Sequence, residues 1–234
     1  MTYENHHGNE RAYLRDIILG INDGLISTFL LTIGVYASGL SLESILLTII
    51  SGALSGMISM GLGEYLATKS QKEVTDAEIQ KEKNHIEEHL DIELKQVEDF
   101  LEQELEIKNQ SLIQSFVHEM EFNSAGLLNL MKKIEFGLCE EENRNPWIAM
   151  FVSGGLFFTG ALPTIISFSV TKNIDTAFYL SIGLNTLALF VVGFGKTLMT
   201  KTNQWMSGFE NMIFAAIGAV ISYSIGYVFS KYLI

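Results

Sequence analysis

Five apolar stretches recur along the chain, and each is at or near the length of a membrane-spanning helix. They cover residues 17–37, 44–66, 147–170, 177–198 and 212–229. At about 1.5 Å per residue, a helix of about 20 residues crosses the roughly 30 Å hydrocarbon core of a bilayer. The pattern predicts an all-α membrane protein with five transmembrane helices, whose two termini lie on opposite sides of the lipid bilayer.

The flanks of these stretches differ in positive charge, and the second stretch is rich in glycine. Gly52-x-x-x-Gly56 has the small-residue spacing that lets spanning helices pack closely. Lys172 and Lys231 are the basic residues on one side of the predicted membrane. The other side carries a larger set, namely Arg11, Arg15, Lys69, Lys72, Lys196 and Lys201. Since basic residues accumulate on the cytoplasmic side, we expect a cytoplasmic N-terminus and a C-terminus on the opposite side.

Residues 67–146 separate the second and third apolar stretches and differ from them in composition. They carry 19 of the 27 acidic residues and 9 of the 15 basic ones, which gives a net charge of −10. We therefore divide the chain into three parts. Residues 1–66 hold an N-terminal tail and helices 1 and 2, residues 67–146 form an acidic helical domain in the cytoplasm, and residues 147–234 hold helices 3 to 5. Cys139 is the single cysteine, which excludes a disulfide within the chain and a cysteine-based zinc site.

The acidic segment has the periodicity of helices. Apolar residues recur at steps of three and four residues from Ile79 to Leu101, which predicts one helix over that range. We expect Asn109-Gln-Ser to break the pattern, with Ser111 as the N-cap of a second helix over about residues 112–123. A third helix is predicted over about residues 127–138.

Five polar side chains of the first predicted helix are spaced four, three, four and four residues apart, which places them along one stripe. They are Glu78, Glu82, His85, His89 and Glu93. Carboxylate and imidazole ligands together suit divalent iron, manganese or zinc better than calcium. The same spacing is typical of a solvated charged face, and the residues alone favour that interpretation, as they do for the cluster His118-Glu119-Met120-Glu121.

Charged and thioether side chains also lie inside the apolar stretches. Asp23 falls in the first stretch, where an unpartnered carboxylate is costly, and we expect it to handle an ion or a proton. Met57, Met60 and Glu64 are spaced three and four residues apart, so they share one face of the second helix and are predicted to line a transport path with Asp23. A thioether binds transition metals less tightly than a carboxylate does, so it allows the ion to move on along a transport path. Packing methionines and a headgroup-level Glu64 are the alternatives.

Two stretches resemble the signature sequences of the vacuolar iron transporter family. They are Arg15-Asp-Ile-Ile-Leu-Gly-Ile-Asn-Asp23-Gly-Leu and Ile58-Ser-Met60-Gly-Leu-Gly-Glu64-Tyr-Leu. The acidic insert and Met131-x-x-x-Glu135-x-Gly-Leu match the family as well. The resemblance implies a homodimer of five-helix chains that moves ferrous iron, and often manganese, out of the cytosol in exchange for protons.

By that resemblance, Asp23 is the pore carboxylate and Met60 the pore thioether, on a path between the first helices of two protomers. Met131 and Glu135 match the residues that close the family's metal-binding domain, whose other ligands are glutamates. The register leaves two ligand sets open, Glu82, His85 and Glu93, which we favour, or Glu87 and Glu98. The chain departs from some members by carrying Gly52 and Lys132 in place of a pore glutamate and a second methionine.

We expect the chain to be a transporter and not an enzyme. Its partners are divalent metal ions, protons, lipid and a second copy of the chain, without nucleic acid. Fe²⁺ or Mn²⁺ is the expected substrate, Zn²⁺ is another candidate for the bound ion, and no prosthetic group is expected. A bacterial inner membrane and a vacuole-like membrane both remain open. The alternatives are a passive divalent cation channel and a membrane-anchored di-iron oxidase. The oxidase would need a second Glu-x-x-His beside Glu82-Lys-Asn-His85.

Overall fold

The computed structural model describes residues 13–135, 144–200 and 203–232. Arg11, Cys139 and Lys201, which enter the arguments above, lie outside these ranges. The regular structure within them is helical, and it comprises α1 Leu14–Ala37, α2 Leu42–Glu88, α3 Leu90–Asp99, a π-helical turn Phe100–Glu104, α4 Gln110–Glu121, α5 Ser124–Ile134, α6 Pro146–Ser169, α7 Ile174–Thr200 and α8 Gln204–Tyr232.

Helices α1, α2, α6, α7 and α8 are long and apolar enough to cross a membrane. They coincide with the five predicted stretches, which confirms an all-α fold with five candidate transmembrane helices. Helix α2 has 47 residues and is therefore about 70 Å long. Because the hydrocarbon core is only about 30 Å thick, the apolar N-terminal part of α2 suffices to span it, and the polar C-terminal part lies outside the spanning segment.

The described chain divides into two compact units. Of the described residues, 68–135 and 144 belong to the acidic unit, and 13–67, 145–200 and 203–232 belong to the spanning unit. The hydrophobic core of the acidic unit is built from the C-terminal part of α2 and from α3, α4 and α5. Ile86 is nearly buried there, and Val97, Ile113 and Leu127 are fully buried. This core fixes the position of the C-terminal turns of α2 relative to α3.

Two asparagines set the starts of α4 and α5. The side chain of Asn109 accepts a hydrogen bond from the backbone N–H of Leu112, and that of Asn123 accepts one from Gly126. Asparagine suits the N-cap because its oxygen satisfies an N–H group that has no partner within the helix. The prediction of Ser111 as the N-cap was wrong by two residues. The third helix begins at residue 124, earlier than the predicted 127, and its predicted end at residue 138 lies outside the described residues.

Glycines bring the backbones of the spanning unit into direct contact. A Cβ atom at Gly24 of α1 would lie 2.0 Å from the carbonyl oxygen of Phe157 on α6. One at Gly226 of α8 would lie 2.0 Å from the carbonyl oxygen of Gly34 on α1. Any side chain at these positions would overlap backbone atoms, so α1 is held between α6 and α8 at a separation that only glycine permits.

The glycine spacing predicted as a packing face lies on α2. A Cβ atom at Gly52 would lie 2.7 Å from a methyl carbon of Leu31 on α1, and one at Gly56 would lie 2.2 Å from the ring of Phe157 on α6. Large side chains of α1 and α6 therefore occupy the space that these two glycines leave free.

Candidate metal centre

The helix predicted across residues 79–101 is interrupted at His89. Helix α2 ends at Glu88, and α3 begins at Leu90 with His89 as its N-cap, at φ −138° and ψ 47°. The single stripe predicted for residues 78–93 is therefore wrong, because Glu93 lies on a different helix from the other members. In an unbroken helix, residues 85 and 93 would be about 12 Å apart along the axis, too far for their side chains to meet.

The break brings Glu93 against His85. Nδ1 of His85 contacts a carboxylate oxygen of Glu93, eight residues further along the chain. Glu82 joins this pair, and one ligand atom from each of the three residues lies within 4.8 Å of the other two. An ion that binds nitrogen and oxygen ligands at about 2.1 Å places opposite ligands about 4.2 Å apart. The three side chains are therefore spaced to surround one divalent ion.

Both carboxylates of the group are buried, and each has an oxygen without a hydrogen bond. Glu82 is 5% exposed and Glu93 is 0% exposed. Among the described residues, Oε1 of Glu82 and Oε2 of Glu93 have no hydrogen-bond partner. A buried carboxylate oxygen that lacks a hydrogen bond is unfavourable, and a bound cation removes that cost. The burial therefore points to a ligand of positive charge.

Glu135 extends the group at the C-terminal end of α5. Its exposed side chain lines the same cavity as that of Glu82, and the two carboxyl groups interact electrostatically. A cavity of about 320 Å³ reaches both residues, and it is lined by Glu78, Lys81, Glu82, His85 and Glu135. This cavity provides room for an ion with water among its ligands.

Glu82 and Glu135 have higher pKa values than ordinary glutamates. Burial raises the pKa of Glu82, and the neighbouring Glu93 carboxylate raises it further. Burial also raises the pKa of Glu135, and the negative charge of Glu82 adds to that shift. Since a bound cation favours the ionised form of both carboxyl groups, metal binding at this centre releases protons.

We expect Glu82→Gln to stabilise the metal-free acidic unit at pH 7. A carboxyl group whose pKa is raised by folding favours the folded state below that pKa, and this contribution is lost as pH rises through it. At neutral pH the neutral amide avoids the cost of an ionised buried group. The gain should be about 1 kcal/mol and should shrink as pH falls toward about 4.3.

Hydrogen exchange at the amides of Val97, Ile113 and Leu127 measures this gain in the metal-free full chain, after correction for the intrinsic exchange rate at each pH. Glu87→Gln is the matched control, because Glu87 is exposed on the same helix and should leave the exchange unchanged. A stabilisation that grows as pH falls would contradict the assigned direction of the Glu82 shift.

Of the other predicted ligands, Glu78 and His89 lie beside the group, whereas Met131 lies in the hydrophobic core. Glu78 is exposed on α2 and lines the cavity. The ring of His89 is exposed and lies edge-on to that of His85, with 5.0 Å between the ring centroids. Met131 is fully buried in the hydrophobic core of the unit.

The two residues of the alternative ligand set, Glu87 and Glu98, do not form a comparable cluster of metal-binding side chains among the described residues. Glu87 is exposed, and Glu98 accepts a hydrogen bond of 2.7 Å from the Gln114 side chain. His118 on α4 contacts Glu121 at 3.2 Å, and both residues are exposed. The geometry therefore favours the register of Glu82, His85 and Glu93 over that of Glu87 and Glu98.

The candidate transport residues lie in the spanning unit. Asp23 is seven residues beyond Asp16, where the first span begins, so it lies about 10 Å into that span. Its side chain is exposed on the single chain. Met57, Met60 and Glu64 lie on α2 and are half-buried.

Comparison with known proteins shows the family to which the chain belongs. A family model described as "VIT family" matches residues 14–227. The chain belongs to the VIT family. Its VIT-family relatives include vacuolar iron transporter 1 of Tulipa gesneriana, which is 28% identical over 222 residues, covering 95% of this chain and 89% of that protein.

Two further relatives of this VIT-family chain come from another plant and from yeast. Vacuolar iron transporter 1 of Arabidopsis thaliana is 27% identical over 231 residues, covering 97% of this chain and 92% of that protein. Protein CCC1 of Saccharomyces cerevisiae is 29% identical over 187 residues, covering 80% of this chain and 58% of that protein. The resemblance seen in the signature stretches is thereby confirmed, and the chain is an integral membrane transporter rather than an enzyme.

Proposed function

We propose that this VIT-family chain carries a divalent transition metal, ferrous iron or manganese, out of the cytosol. The observation that carries the proposal is the group of Glu82, His85 and Glu93, in which each of the two buried carboxylates has one oxygen without a hydrogen bond that a cation would satisfy. Vacuolar iron transporters among the relatives support iron as the cargo. The membrane is either a bacterial inner membrane or a vacuole-like one.

The acidic unit serves as the collector of metal on the cytoplasmic side. Residues 67–146 carry a net charge of −10, which raises the local concentration of divalent cations. The charge of the flanks favours the cytoplasm for this unit and for the N-terminus, with the C-terminus on the opposite side. Ions captured at the centre are then available to the transport path.

Asp23 forms the transport path together with a second copy of the chain. A charged side chain that faces hydrocarbon from the middle of a helix costs about 3 kcal/mol. Asp23 is exposed on the single chain, so a homodimer that covers this face of α1 removes the cost and places two carboxylates along one path. Met57, Met60 and Glu64 supply the thioether and carboxylate ligands of that path.

Proton antiport follows from the chemistry of Asp23. A carboxylate binds either a metal ion or a proton, and a proton that arrives from the far side displaces the ion. The released ion leaves on that side, and the proton is lost to the cytosol before the next ion binds. Metal and protons then move in opposite directions.

Uptake of ferrous iron and of manganese into proteoliposomes tests this function. We expect uptake to be faster when the lumen is acidic and to slow when an ionophore collapses the proton gradient. Uptake that follows the metal gradient alone would replace the antiporter with a passive channel. Absence of uptake, with oxidation of ferrous iron by the acidic unit, would support the di-iron oxidase instead.

A further inference from the structure

We propose that His85 makes the metal centre of the acidic unit discriminate against manganese in favour of ferrous iron and other ions that bind nitrogen well. The inference rests on the proposed function, because it concerns the metal that the same centre collects. The inference goes beyond that function because it assigns the selection of ferrous iron over manganese to the side chain of His85.

His85 is the one nitrogen donor in the group of three. Its ring has two contacts, because Nδ1 contacts the fully buried Glu93 and the ring meets that of His89 edge to face, with 5.0 Å between the centroids. A carboxylate that accepts a hydrogen bond from one ring nitrogen orients the imidazole and makes the other ring nitrogen a stronger ligand. Glu93 therefore orients the ring through Nδ1 and leaves Nε2 as the nitrogen that binds an ion.

The donor set gives the two ions different affinities. Manganese stands lowest in the order of divalent first-row metals for a given set of ligands, and carboxylate and water oxygens are the ligands that suit it. Imidazole suits iron, nickel and zinc. An imidazole in place of a third carboxylate also lowers the negative charge of the centre by one, which weakens the binding of ions that depend on charge alone. Both effects lower the affinity of the centre for Mn²⁺ relative to Fe²⁺.

The ratio of the dissociation constants for Mn²⁺ and Co²⁺ tests the inference, with Co²⁺ as an air-stable representative of Fe²⁺. Each metal is titrated into the metal-free full chain in detergent, and the sites that Glu93→Gln removes are assigned to the acidic unit. Two variants, His85→Gln and His85→Glu, replace the nitrogen donor with oxygen. We expect the preference for Co²⁺ over Mn²⁺ to fall at least tenfold in both, as is common when an interaction that tunes a metal site is lost.

His85→Gln keeps the side chain neutral, so it separates the donor atom from the charge of the centre. His118→Gln is the control, since His118 lies exposed on α4, outside the centre, and should leave the preference unchanged. Pulsed electron paramagnetic resonance of bound Mn²⁺ gives a readout that needs no variant. Coupling to a directly bound nitrogen is expected in the native chain and should be absent after His85→Gln.

Two results overturn the inference in different ways. If both His85 variants bind metal and keep the Co²⁺ to Mn²⁺ preference within about twofold of the native value, or if no bound nitrogen is detected in the native chain, then His85 does not select the metal. The collecting role of the centre would stand in that case. If Glu93→Gln removes no site from the native chain, the centre itself is absent and the proposed function of the acidic unit fails together with the inference.

Discussion

Asp23→Asn should lower proton-driven uptake of ferrous iron into proteoliposomes by roughly 100-fold. The amide has nearly the same shape as the carboxylate but carries no charge, so it neither attracts the ion into the span nor exchanges it for a proton. In a low-dielectric path the lost attraction amounts to about 3 kcal/mol, which corresponds to that factor in rate. The initial rate of uptake, measured with and without an acidic lumen, gives the value.

Two controls separate this effect from misfolding. Metal binding by the acidic unit should be unchanged in Asp23→Asn, because its ligands lie on residues 82–135. Glu43→Gln removes an exposed carboxylate from the first turn of α2 and should leave transport near the native rate. Uptake by Asp23→Asn at half the native rate or more would show that the ion follows a path without this carboxylate.

The five spanning helices were predictable because a bilayer imposes one requirement on every crossing. Each must offer about 20 apolar residues, and hydropathy alone reports that property, irrespective of how the helices pack. The close contacts of α1 were less visible. A sequence marks Gly24 and Gly226 as small, but it does not say which backbone lies opposite each of them. That pairing depends on the arrangement of three helices at once.

The candidate metal centre was only partly predictable, because its geometry depends on a break in a helix. Glu82 and His85 lie three residues apart on α2, a spacing that the sequence displays directly. Glu93 reaches them because the chain leaves helical geometry at His89, and histidine is not among the favoured N-cap residues. The acidic Asp91 and Glu93 in the first turn of α3 are the one local signal of a new helix start. We infer that packing of α3 against the hydrophobic core of the acidic unit favours the break at His89 more than the N-cap preference of histidine does.

Gly226→Ala should destabilise the spanning unit by about 3 kcal/mol. The added Cβ would lie 2.0 Å from the carbonyl oxygen and 2.9 Å from the carbonyl carbon of Gly34. Both are backbone atoms within a helix, so a change of side-chain rotamer does not relieve the overlap. Helix α8 must therefore move away from α1. That movement also lengthens the 2.5 Å hydrogen bond that the Ser222 hydroxyl donates to the carbonyl oxygen of Leu30.

Thermal unfolding in detergent, followed by the fluorescence of Trp147 and Trp205, measures the loss in the spanning unit. Gly183→Ala on α7 is the matched control, because a Cβ there meets nothing within 4 Å. Since alanine favours a helix more than glycine does, this control should melt at or slightly above the native temperature. If Gly226→Ala unfolds at the same temperature as the control, then α1 and α8 move apart with little loss of free energy, which would contradict the prediction. If the contact between α1 and α8 is tight, transport by Gly226→Ala should fall together with its stability, because α1 carries Asp23.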